Sequence, residues 1–185
     1  MTGAGATGAA RVEELIGLLQ ERLRARAVVG GIRVVGGAAM ALRFRDDPDV
    51  RVTTDIDAVF HPRPDVDDVI AEIALERDLP RDWLNAAAGA WVARRPPHPL
   101  QADFAVDVAT IEELIAMKLA AAREQDLHDL VILVRHAGIE RESELVEIAY
   151  DYYGEESLAL SWPREEYLEI AAEVVARALE QPLHP

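Results

Sequence analysis

The chain contains no cysteine. Disulfides, zinc–thiolate centres and thiol nucleophiles are therefore excluded, and a reducing compartment suits the composition. No stretch approaches the ~18 uninterrupted apolar residues that a membrane span requires. The opening "MTGAGATGAA" lacks the basic start and apolar core of a secretion signal, so residues 1–9 read as a disordered leader and the cytoplasm as the location. There is no internal repeat and no low-complexity linker. Basic residues are in the minority, 19 against 34 acidic ones, for a net charge of −15. Twelve of the acids lie beyond Ile139, where only Arg141, Arg164 and Arg177 oppose them. Such a balance argues against non-specific binding to nucleic acid, while leaving room for a local basic face nearer the front of the chain. The histidines His61, His98, His136 and His184 show no ligand spacing, and His128 reads as a surface residue.

What is present is a chain of 185 residues, half of them hydrophobic. That length suffices for one domain that buries roughly 70% of its unfolded surface without staples. Val12, Leu15, Ile16, Leu19 and Leu23 recur at helical spacing and predict an amphipathic helix over 10–27. "IRVV" (32–35) is a β-branched strand ended by Gly36-Gly37, and "AAMALRF" (38–44) a short helix. The loop 45–50 is proline- and aspartate-rich. "RVTTDIDAVF" (51–60) predicts a strand, 66–78 a helix, and "PRDWLNAAAGAW" (80–91) a shorter helix. "RRPPHP" (94–99) is a loop, and "LQADFAVDVA" (100–109) a further strand. Thr110 with Glu113 three residues on predicts a capping box opening the next helix. A helical continuation ends at Gly138, a C′ glycine, and amphipathic helices follow at about 141–153 and 163–180. The expected fold is α+β: a small mixed β-sheet flanked by helices over 10–109, then a helical half over 110–185, in a single domain.

One element carries chemistry. Strand side chains alternate between faces, so Asp55 and Asp57 share a side opposite Ile56, Ala58 and Phe60, with Cα atoms roughly 6.5–7 Å apart. Two carboxylates that close repel, and a divalent oxygen-seeking ion such as Mg2+ relieves the repulsion. A sheet-edge strand with one solvated face is the plainer alternative. The preceding strand–Gly36-Gly37–helix unit supports the metal reading. It lets a phosphate approach bare backbone at a helix N-terminus. By itself the glycine pair is more often a tight turn.

With these residues in view, "VVGGAAMALRF…TTDIDAVF" resembles the signature of the DNA polymerase β-type nucleotidyltransferases. The later "TIEELIAMKLAAAREQDLHDLVIL" is similar to a second block of the AbiEii/MenT-like toxin branch, with a lysine helix running into an arginine and Asp-x-x-Asp. The two blocks cover about 34–60 and 110–135. The resemblance implies a nucleotidyltransferase-like fold and transfer of a nucleoside monophosphate from an NTP. It implies Gly36 and Gly37 against the triphosphate, and Asp55 and Asp57 holding Mg2+, with Mn2+ as the alternative ion. Lys118 would meet the phosphates, Asp126 or Asp129 would line the site, and Arg123 would support either role. It also implies a tRNA 3′ end as acceptor and an antitoxin protein as partner. The chain departs from the pattern in one respect: Ala38 and Ala39 follow the glycines where many relatives place a serine or threonine.

A third carboxylate is often used in this superfamily to orient the attacking hydroxyl and accept its proton. Asp103 and Asp107 fall on one strand face, and Asp107 sits deeper in the apolar run; either is equally open to a structural role. In the helical block, Lys118 is as readily a snorkelling surface lysine. Arg123 and Asp126, three apart, form an ordinary helix salt bridge without any function. Arg33, Arg43, Arg45 and Arg51 flank the glycines and aspartates, available either to RNA backbone or to solvent. Three functions stay in play: nucleotidyl transfer to tRNA, transfer to a protein or small molecule, and a degenerate domain that binds nucleotide or a partner without turnover.

Overall fold

The computed structural model describes residues 4–51, 53, 55–92 and 103–181. The loop expected at 94–99 lies outside them. The chain divides into two compact units, residues 1–109 and 110–185.

The first unit is a four-stranded sheet with helices. Helix α1 (Ala4–Ala25) buries Val12, Leu15, Ile16, Leu19 and Leu23, the five positions its periodicity marks. It begins inside the stretch read as a leader. The alanines at its start carry the best helix propensity, and Ala9 is already buried. Strand β1 (Gly30–Val34), helix α2 (Gly36–Arg43), strand β2 (Ile56–His61) and helix α3 (Arg63–Arg77) follow. Strand β3 (Leu84–Asn85), a 3-10 turn (Ala87–Trp91) and strand β4 (Phe104–Val108) complete the unit. The sheet order is β3-β2-β1-β4. Its pairings are mixed: β1 runs antiparallel to β2 and parallel to β4, and β2 runs parallel to β3.

Register decides which side chains meet. Opposite Arg33 stand Val59 on β2 and Asp107 on β4, and Asp57 stands opposite Asn85 on β3. Cross-strand partners share a face. Ile32, Val34, Ile56, Ala58, Phe60 and Phe104 are buried on one face, with α1 packed against β4, α2 and α3. Gln20 on α1 donates to the Phe104 carbonyl at 3.0 Å. Arg33, Asp57, Asn85 and Asp107 belong to the other face.

Two expectations are corrected here. The strand over 51–60 is shorter, beginning at Ile56, because the Thr53 hydroxyl donates to the Asp55 carbonyl at 2.7 Å. Such a local side-chain bond competes with a sheet ladder. The helix over 80–91 is instead β3 and a 3-10 turn. Its alanines favour a helix, but Leu84 pairs with Ile56, and Trp83 is pinned by its indole N–H to the Ile70 carbonyl at 3.1 Å. Tertiary pairing outweighs local propensity at this point.

The second unit is helical: α4 (Ile111–Ala121), α5 (Glu124–Ala137), α6 (Glu142–Tyr153) and α7 (Arg164–Glu180). The capping box is complete. The Glu113 amide donates to the Thr110 hydroxyl at 3.2 Å, and the Thr110 amide to the Glu113 carboxylate at 2.9 Å. Between α4 and α5 the helix breaks at Ala122, which takes a left-handed φ of 42°. Gly138 ends α5 with φ 67°. Tyr167 is fully buried against Tyr150 and Trp162. Among the described residues no helix is long and apolar enough to cross a membrane.

Candidate active site

The site begins where β1 turns into α2. Gly36 has φ +59°, a left-handed conformation that glycine adopts without steric cost. It is also pressed upon. A Cβ built there would stand 3.1 Å from Asp57 Oδ2 and 3.5 Å from Asp57 Cβ. The carboxylate of the second aspartate therefore lies directly on the backbone of the first glycine. The strands hold it there, for the Val35 amide donates to the Asp57 carbonyl at 2.9 Å. Gly37 has a different neighbour: a Cβ built on it would meet Thr53 Cβ at 3.4 Å and Thr53 Oγ1 at 3.5 Å. The hydroxyl absent from the glycine turn itself is thus present beside it, contributed by a residue sequence reading did not single out.

Asp55 lies just before β2 and is exposed. Both of its oxygens are engaged. Thr53 Oγ1 lies 3.3 Å from Asp55 Oδ1, and Asn85 Nδ2 donates to Asp55 Oδ2 at 3.3 Å. The Asn85 amide cannot be turned round, because its Oδ1 already accepts the Ala87 N–H at 2.9 Å. Asp57 thus stands beside the glycine turn, and Asp55, on the other side of Ile56, is linked to that turn through Thr53 and is held on its far side by Asn85.

At the opposite edge of the sheet from β3, Asp107 is occupied differently. Arg33 Nη1 lies 3.1 Å from Asp107 Oδ2, and the Val108 amide donates to Asp107 Oδ1 at 2.8 Å. The Arg33 side chain is buried, whereas that of Asp107 is 42% exposed. Asp103 pairs with Arg24 at 2.7 Å, which ties it to α1. Arg43 closes the end of β4, donating to the carbonyls of Val108 and Ala109. Arg45 pairs with Glu13.

Lys118, Arg123, Asp126 and Asp129 form their own cluster within the helical unit. Lys118 is buried, and its ammonium lies 2.8 Å from Asp126 Oδ1 and 2.5 Å from Asp129 Oδ2. Arg123 Nε adds a contact to Asp126 Oδ2 at 2.6 Å, with its own side chain 65% exposed. Burial pushes the Asp126 carboxyl up, but hydrogen bonds from Arg123 and Lys118 more than offset this and hold it below the usual carboxylate range. The surface-lysine alternative does not hold, since Lys118 turns inward to two carboxylates.

Among the described residues no three His, Cys, Asp or Glu side chains converge into a metal cage. The donor set is the Asp57 carboxylate and Thr53 hydroxyl beside the glycines, with the Asp55 carboxylate next to Thr53. Mg2+ suits such a set, because it is commonly held by one or two carboxylates while water and substrate phosphate complete the shell. Structural zinc and calcium, which want four or more protein ligands, do not.

Comparison with curated proteins and with solved structures returned no significant match. A family model described as "Nucleotidyltransferase of unknown function (DUF6036)" matches residues 10–158, which takes in the glycine turn, both aspartates, Asn85, Asp107 and the Lys118 cluster. With most of its length matched, the chain belongs to that nucleotidyltransferase family.

Proposed function

We propose that the protein transfers a nucleoside monophosphate from an NTP to an acceptor hydroxyl in a reaction dependent on Mg2+ or Mn2+. One observation carries this reading: the Asp57 carboxylate rests on Gly36, at the turn that opens α2. A phosphate approaching that turn meets backbone N–H groups at a helix N-terminus and two carboxylates at its edge. Those carboxylates would repel the phosphate unless a cation lay between them. When bound, a divalent ion neutralises charge on the triphosphate and lines it up for in-line displacement.

The chain's own residues do the positioning. Gly36 and Gly37 leave room for the phosphates. Asp55 and Asp57 would hold the ion. The acceptor hydroxyl attacks the α-phosphorus, its proton passes to a base, and pyrophosphate leaves. Asp107 is the proposed proton acceptor, and Arg33 at 3.1 Å and the Val108 amide at 2.8 Å hold its carboxylate in place. Within the helical unit, Arg123 is the cluster member that solvent reaches, with Asp126 holding its guanidinium and Lys118 bracing Asp126 and Asp129.

The resemblance to the AbiEii/MenT-like branch supports a tRNA 3′ end as acceptor, an antitoxin protein as partner and a toxin's role. Incubation with Mg2+, each labelled NTP and total tRNA tests this. Label in the RNA supports it. Label in protein or small-molecule fractions moves the acceptor, and no label in any fraction refutes transfer. A second reading has its own observation. The Arg33–Asp107 pair equally makes Asp107 a structural residue, and the domain would then bind nucleotide without turnover. Calorimetry showing ATP–Mg2+ binding, lost in Asp55→Ala, with no transfer would favour it.

A further inference from the structure

We propose that Asn85 and Thr53 are positioning residues that clamp the Asp55 carboxylate and fix which of its lone pairs face a bound cation. The inference rests on the proposed metal-dependent reading and names two residues that it lacks.

Asp55 precedes β2 rather than lying within it, so the sheet ladder does not by itself fix its side chain. It is exposed, and an exposed carboxylate samples several rotamers. The clamp restricts it from both sides. Asn85 Nδ2 donates to Oδ2 at 3.3 Å, and the Thr53 O–H shares its single proton between the Asp55 carbonyl at 2.7 Å and Oδ1 at 3.3 Å in a three-centre bond, so neither carboxylate oxygen can swing away without losing a contact. Each clamping group is itself held. The Thr53 hydroxyl is anchored at 2.7 Å to the Asp55 carbonyl, and the Asn85 amide is oriented by the Ala87 N–H at 2.9 Å.

The local fold around Asn85 serves this placement. Strand β3 has only two residues. Leu84 is buried, Trp83 is buried and bonded to Ile70, and the Ile56 amide donates to the Trp83 carbonyl at 2.8 Å. These contacts bring Asn85 opposite Asp57 and beside Asp55. A neutral amide suits the position. It donates to a carboxylate without contributing a charge that would compete with the cation, as lysine or arginine would. Partners of this kind behind a metal ligand commonly set affinity by ten- to a hundredfold.

The test uses the full chain and Mn2+ as probe, read by electron paramagnetic resonance with and without a non-hydrolysable ATP analogue. Asn85→Ser retains an acceptor for the Ala87 amide and withdraws the longer side-chain NH2 that reaches Asp55. Thr53→Val removes the hydroxyl and retains the shape. Both are expected to keep thermal midpoints within a few degrees of wild type and to bind Mn2+ about tenfold more weakly. Wild-type Mn2+ affinity in both variants overturns the clamp. Should Asn85→Ser fail to fold, Thr53→Val decides, and wild-type affinity there overturns it. If the wild-type chain binds no Mn2+ in either condition, the metal-dependent reading itself fails and the clamp falls with it. Binding in wild type but not in Asp57→Asn, together with unchanged Asn85→Ser and Thr53→Val, refutes the clamp alone.

Discussion

Replacing Gly36 by alanine separates two costs, backbone conformation and side-chain contact. At φ +59° an L-residue is disfavoured by about 1–2 kcal/mol. Gly138 has φ +67° and nothing within 4 Å of an added Cβ, so Gly138→Ala reports the backbone cost by itself. In Gly36→Ala the new methyl also stands 3.1 Å from Asp57 Oδ2, closer than ordinary van der Waals contact. That oxygen is the tip of a side chain, so it moves by a few tenths of an ångström rather than breaking the strand. Both variants should therefore lose similar stability. In a chain of this size, about 1–2 kcal/mol lowers the thermal midpoint by roughly 2–8 °C. Only Gly36→Ala should also lose function. A displaced carboxylate spoils the geometry on which the reaction depends, and misplacement of about 1 Å can cost ~100-fold, so roughly tenfold is expected here. Differential scanning calorimetry and Mn2+ titration on the two variants read the two effects separately. Gly36→Ala with wild-type Mn2+ affinity would show that the Asp57 carboxylate does not rest on this glycine. A wild-type melting temperature would contradict the positive φ.

Four further outcomes are expected. Lys118→Met leaves Asp126 and Asp129 buried without their ammonium, and urea unfolding should show a loss of about 3–5 kcal/mol. Because the folded Asp126 carboxyl is held below the usual range, its stabilising contribution is complete above about pH 4 and is lost as pH falls through its depressed folded value. Acid unfolding of Asp126→Asn should accordingly be less steep below about pH 4 than that of wild type. Tyr167→Phe should be neutral or stabilising by up to about 1 kcal/mol in urea unfolding, since the buried Tyr167 hydroxyl has no hydrogen-bond partner among the described residues. Gly17→Ala, inside α1 with nothing within 4 Å of the new methyl, should stabilise by about 0.5–1 kcal/mol, measured the same way.

Periodicity and end signals made most of the fold legible. The buried stripe of α1, the alternation of Ile56, Ala58 and Phe60 against Asp57 and Val59, the Thr110–Glu113 box and the Gly138 stop are all local patterns. Each is dictated by residues within one or two turns of one another, so a linear reading reaches it. Where the reading failed, the deciding contact was distant. Alanine-rich 80–91 has helical composition, yet Leu84 is claimed by Ile56, 28 positions earlier. The same holds at the site. Asp55 and Asp57 advertise themselves as like charges on one strand, and Gly36-Gly37 as a turn. Asn85 carries no such mark: it is a lone amide in a short segment, separated from Asp55 by the whole of α3. Thr53 is nearer and equally silent, since its relation to Gly37 exists only once β1 and β2 pair antiparallel and fold the chain back on the turn.

The Lys118 cluster lies between these cases. Its spacing was visible, and the i, i+3 pair Arg123–Asp126 forms, with Arg123 standing as the extended N-cap residue of α5 rather than within the helix. What spacing could not convey is that Lys118 and Asp126 stand on different helices, joined through a left-handed Ala122. That break turns the end of α4 back toward the first two turns of α5, where Asp126 and Asp129 are buried. An uninterrupted helix would have placed Lys118 and Asp126 eight residues and roughly 12 Å apart, beyond salt-bridge reach. The buried ion cluster is thus a consequence of the kink. Any substitution that straightened the α4–α5 junction would part the buried Lys118 ammonium from the carboxylates of both Asp126 and Asp129.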